Sequence, residues 1–115
     1  MAYEFTYRLT DIAQEDFDHL IGYMVEKLCN LQAATVFADD IEEALENLCE
    51  FPLEGPLVDN PYLSVKNVRM LVVRQYNIYY LADEEEKIIT VIRIGHSLQD
   101  QEKLLGESSI INYRE

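Results

Sequence analysis

Positive charge is scarce in this chain. Its 9 lysines and arginines stand against 22 aspartates and glutamates, a formal net charge of -13 at pH 7. The deficit is lopsided: residues 1–60 hold 2 Lys/Arg against 14 Asp/Glu, a net of -12, and residues 61–115 hold 7 against 8, a net of -1. Such a charge opposes long-range attraction to nucleic acid. Screening confines each charge to about 8 Å at physiological salt, so a local basic site remains open. No apolar run approaches the length of a membrane-spanning helix. The start, MAYEFTYRLTD, lacks a basic region followed by an apolar block, so no secretory signal is read and a cytoplasmic location is the default. Cysteine is sparse. Cys29 and Cys49 fall on predicted helices with no second ligand at metal spacing, and both read as reduced, half-buried thiols. Glycine-rich phosphate loops, nucleophile motifs and a Ser-His-Asp set are all missing, so no metal or cofactor is expected.

What is present is an ordinary globular composition, 49% hydrophobic and 27% charged. A chain of 115 residues fits one domain with one continuous core, here read as residues 3–105 with a tail at 106–115. Residues 3–9 alternate, with Tyr3, Phe5, Tyr7 and Leu9 on one side, which predicts a strand with one buried face. Thr10 and Asp11 are both good N-caps, and Gln14 completes a capping-box spacing from Asp11. Ala13, Phe17, Leu20, Ile21, Met24 and Leu28 then give a helix over 11–29, with Gly22 inside it as a candidate for close backbone approach. Asn30 can cap a second helix striped by Ala34, Phe37, Ile41, Leu45 and Leu48 and ended by Pro52. The short break makes the two helices an antiparallel hairpin. A Pro/Gly-bearing loop over 51–64 leads to three strands, NVRMLVV, YNIYYLA and KIITVIRI, joined by short turns into an antiparallel meander. In the last, Ile88, Ile92 and Ile94 read as one face and Ile89 and Val91 as the other, so it is buried on both sides. Residues 97–106 have the character of a short helix. The expected fold is α+β, β-α-α-β-β-β(-α): a small antiparallel sheet with an N-terminal helical hairpin on one face.

The run from Lys66 to His96 concentrates the cations of an acidic chain. Lys66, Arg69, Arg74 and Arg93, brought together by strand pairing, could clamp phosphates. They could equally pair with the chain's own carboxylates. His96, just past a strand end, is either a general base or a structural residue, and His19 is an exposed helix residue. Among Tyr76, Tyr79 and Tyr80, at least two are expected in the core.

Three groups of residues carry a family resemblance: the F-P-x-x-G of Phe51–Gly55, the R-x-L and Y-x-I-Y-Y of Arg69–Leu71 and Tyr76–Tyr80, and the R-I-x-H of Arg93–His96 followed by Asp100. In this order and spacing, over about residues 3–105, the chain resembles the RelE/ParE superfamily of bacterial toxins. The resemblance implies the fold just given and a cognate antitoxin whose extended segment wraps the toxin; a homodimer stays open. It also implies one of two targets: ribosome-bound mRNA, cleaved by RelE-like members, or DNA gyrase, inhibited by ParE-like members. As target-binding residues it points to Lys66, Arg69, Arg74, Tyr80, Arg93 and His96, and in a nuclease His96, Arg69 and Arg93 would be catalytic. RelE-like members carry arginines where this chain has Asn77 and Ser97, and a lysine where it has Arg69. His96 matches ParE-like members, whose following basic pair is replaced by Leu98-Gln99. The chain is therefore closer to the ParE-like branch. A third reading is an attenuated, non-toxic interaction module.

Overall fold

The computed structural model describes residues 5–58, 66–98 and Leu105. Its elements run β1 (Thr6–Leu9), α1 (Asp11–Gly22), a π-helical turn (Tyr23–Lys27), α2 (Leu31–Glu50), β2 (Arg69–Val73), β3 (Tyr76–Asp83) and β4 (Ile88–His96). The sheet order is β1-β4-β3-β2. The proposed 97–106 helix and Asp100 fall almost wholly outside the described residues.

Each helix start follows from one polar side chain. Thr10 Oγ1 accepts the N–H of Ala13 at 3.2 Å, so Thr10 is the cap and the Asp11–Gln14 box does not form; Gln14 instead donates to Asp18 at 3.1 Å. Asn30 Oδ1 accepts the N–H of Ala33 at 3.0 Å and starts α2. The first helix is not uniform to residue 29 as the spacing predicts. It widens into the π-helical turn after Gly22, and Cys29 takes a left-handed φ of 50° where the chain reverses into α2. Nothing lies within 4 Å of where a Gly22 Cβ would sit, so close backbone approach does not explain that glycine.

The meander is antiparallel, but the sheet as a whole is mixed. β1 pairs with β4 in parallel, from Thr6 opposite Ile88 to Leu9 opposite Val91. The pairing carries on past the strand at Thr10. No turn separates β1 from α1: Thr10 donates its N–H to Val91 O at 3.0 Å and its hydroxyl to Ile92 O at 3.4 Å. The chain thus continues along β4 instead of folding back.

A bulge sets which β4 side chains meet the helices. Tyr79 pairs with Arg93 and Tyr80 with Val91, leaving Ile92 as the extra residue. Ile94 therefore joins Ile89 and Val91 on the helix side, and Ile92 turns away, correcting the strict alternation expected of this strand. The main core joins these three to Ile78 and Tyr80 of β3 and to Ala34, Phe37, Ile41, Leu45 and Leu48 of α2. A smaller cluster of Val68, Tyr79, Ile92 and Leu105 covers the other face. Tyr79 and Tyr80 are both fully buried, as the strand propensity suggested. Cys49 is buried and Cys29 exposed, so neither is half-buried.

Candidate functional site

The cationic residues of the Lys66–His96 run do not converge. Arg69 and Tyr80 are opposite one another at the start of β2, and both serve the loop that follows α2. The Tyr80 hydroxyl accepts the N–H of Gly55 at 2.9 Å and donates to Pro52 O at 3.0 Å. Arg69 donates to Gly55 O at 2.8 Å and to Leu53 O at 3.4 Å. Gly55 itself allows no larger residue: an added Cβ would lie 2.7 Å from Met70 O, a backbone atom that cannot swing away. The F-P-x-x-G, R-x-L and Y-x-I-Y-Y motifs are therefore three sides of one clasp. Burial is the main cause that pushes the Tyr80 phenol above its ordinary pKa, against the Gly55 hydrogen bond and the nearby Arg69, which both lower it.

Arg93 lies elsewhere. It is 7% exposed and grips Asp16 of α1 with two hydrogen bonds, Nε to Oδ2 at 2.7 Å and Nη2 to Oδ1 at 2.9 Å. Asp16 also accepts the N–H of Ile94 at 3.0 Å. Since β1 ends opposite Val91, this carboxylate takes over the β4 edge where the strand stops. The two-pronged geometry neutralises Arg93 inside the chain.

Arg74 and His96 share a third location, the tip of the β2–β3 hairpin. Arg74 occupies the first position of the two-residue turn with φ 57° and pairs with Asp40 of α2. His96 is opposite Tyr76, and Ser97 extends the ladder by donating its N–H to Gln75 O at 2.8 Å. Four rings lead inward from here: His96 lies edge-on to Tyr76 with centroids 5.5 Å apart, Tyr76 to Phe37 at 4.6 Å, and Phe37 stacks on Phe17 at 5.5 Å. His96 Nδ1 accepts the N–H of Leu98 at 3.1 Å. In the neutral ring this bond places the proton on Nε2, which is then a donor. Lys66 is exposed just before β2.

The sequence reading missed Asp16, Asp40 and the loop carbonyls as partners. The two carboxylates left a faint signal. Asp16 sits three residues after Ala13 and four before Leu20, and Asp40 three after Phe37, so both lie beside apolar stripes rather than on the outer helix face. The carbonyls left none. Among the described residues, no group of three or more His, Cys, Asp or Glu side chains could hold a metal, and no helix is long and apolar enough to cross a membrane.

Residues 7–101 match the family described as ParE toxin of the type II toxin–antitoxin system parDE. Two solved structures share the fold. One is a chromosomal ParDE toxin–antitoxin system from P. aeruginosa, 21% identical, covering 83% of this chain and 98% of that one with a TM-score of 0.64. The other is a RelBE toxin–antitoxin complex from Mycobacterium tuberculosis, 19% identical, covering 80% and 96% with a TM-score of 0.59. No curated protein is matched by the sequence.

Proposed function

Because the chain belongs to the ParE toxin family of type II toxin–antitoxin modules, we propose that it is a cytoplasmic toxin that arrests growth by binding DNA gyrase and is neutralised by a cognate antitoxin. The observation that carries the choice of target is the fate of the three arginines of the β2–β4 meander. Arg69 holds loop carbonyls, Arg74 pairs with Asp40 and Arg93 is locked on Asp16. A nuclease needs a base, an acid and charge stabilisation converging on one phosphate. A charge of -13 also opposes approach to ribosomal RNA. Inhibition by contact with a protein needs none of these.

A ribosome-dependent mRNA nuclease is the second reading, favoured by one feature: Arg74 and His96 both lie at the β2–β3 hairpin end of the sheet, and the Arg74 side chain is 69% exposed. The experiment separates the two. Expressed without an antitoxin gene, the chain should stop growth, and purified protein should inhibit gyrase supercoiling. Cleavage of ribosome-bound mRNA with supercoiling untouched would overturn the gyrase reading. Normal growth would leave the attenuated interaction module.

A further inference from the structure

Two adjoining hollows flank the Asp40–Arg74 pair. On one side Met24, Leu28, Val36, Phe37, Val73 and Tyr76 shape a largely apolar pocket of about 390 Å³ between α2 and the β2–β3 hairpin. On the other, Glu43, Asn47, Glu54, Leu71 and Val72 enclose a hollow of about 350 Å³ between α2 and β2. Asp40, Val73 and Arg74 line both, so the hollows form one groove alongside α2. From Val36 to Asn47 it spans roughly 16 Å of helix at 1.5 Å per residue.

The walls are unusual for a water-facing surface. Leu28, Val36 and Val72 are 53%, 40% and 58% exposed. Grouped apolar exposure of this kind marks interaction sites, whereas scattered single residues do not. The charge beside it is mostly of one sign. Among the described residues, Asp40, Glu43 and Glu54 line the groove against one cation, Arg74, which Asp40 already engages. Beyond the groove, α2 carries no lysine or arginine at all. An acidic segment laid here would meet like charge at Glu43 and Glu54, at a cost that works against binding.

We infer that the groove receives the neutralising segment of the antitoxin, and that this segment is basic: aliphatic side chains enter the pocket by Val36 and Phe37, and lysine or arginine side chains face Glu43 and Glu54. The inference rests on the toxin reading above and adds the partner's chemistry, with the positive charge on the partner and the negative charge on this chain.

The test pans a random 12-residue peptide library, displayed on phage, against the full chain. Recovered peptides should combine net positive charge with aliphatic or aromatic residues. Their affinity should fall roughly tenfold in the double variant E43K/E54K and again in V36D. It should be unchanged in E84K/E85K, a matched charge reversal in the β3–β4 turn, and should weaken as salt rises. Circular dichroism of the variants, all at exposed positions, checks that the fold is kept. Acidic or uncharged peptides, indifference to the groove variants, or no binders would each overturn the inference. So would a self-associated wild-type chain that E43K/E54K dissociates, since the groove would then hold a second copy. Acidic peptides recovered with a chain that still arrests growth would remove the inference alone; basic peptides with a chain that leaves growth untouched would remove the toxin reading alone.

Discussion

At Arg93 a guanidinium and at Asp16 a carboxylate are withdrawn from water together, with 8% and 14% of their side chains exposed. Their value lies in mutual satisfaction. Truncating only the acid removes the carboxylate to which Arg93 donates twice and the acceptor of the Ile94 N–H. D16A should therefore cost about 3–5 kcal/mol in urea unfolding, and D16A/R93M should recover part of that loss. A D16A cost below about 1 kcal/mol would mean the pair is not structural. Tyr80 supports a second expectation. Y80F leaves Gly55 N–H and Pro52 O without their partner and should cost about 1–3 kcal/mol. Burial raises this phenol above its ordinary value of 10.0 and does the same at Tyr7 and Tyr76. The folded chain thus holds these protons more tightly than the unfolded one. The associated stability is present below pH 10 and is lost as pH rises through the folded values. Y80F should flatten part of that alkaline decline, measured as unfolding free energy from pH 8 upward.

The elements depend on a few local signals, and the link between the helices is the sharpest. Cys29 adopts a conformation that suits glycine, and Asn30 caps the next helix. C29G should stabilise the chain by about 0.5–1 kcal/mol, and N30A should destabilise it by about 1 kcal/mol, both read by thermal or urea unfolding. Opposite signs at adjacent positions would show that backbone conformation and capping, not side-chain packing, govern this joint. The same elements show where a one-dimensional pattern stops. The α2 stripe of Ala34, Phe37, Ile41, Leu45 and Leu48 was legible because helical spacing repeats it, and all five are buried. The faces of β4 were not, because one inserted residue at Ile92 shifts every side chain beyond it. The orientation of β1 was hidden for a related reason: alternation identifies a strand but carries no direction.

For the molecule as a whole, charge is the dominant feature. Six acidic residues lie on α2, and Glu46 and Glu50 stand near its C-terminal end, where the helix dipole disfavours negative charge. Self-repulsion in a chain of net -13 should lessen as salt is added. The melting temperature should rise by several degrees between about 10 mM and 150 mM sodium chloride, over which the Debye length falls from roughly 30 Å to 8 Å. E42K/E46K should shrink that rise. A flat or falling curve would mean that acid–base pairs outweigh the repulsion.

The amino-acid sequence by itself determined the order of the two helices and four strands, the Asn30 cap, the α2 core stripe and the membership that its motifs announced, and it left the first cap open between Thr10 and Asp11. These follow from interactions between residues close along the chain, where spacing and side-chain type are the causes. Only the tertiary structure decided that the arginines separate, because their partners come from elsewhere: Asp16 is 77 residues from Arg93, Asp40 is 34 from Arg74, and the loop carbonyls are 14 to 16 from Arg69. A guanidinium reads the same in sequence whether it awaits a phosphate or already holds a carboxylate. Which of the two obtains depends on what the fold lays beside it.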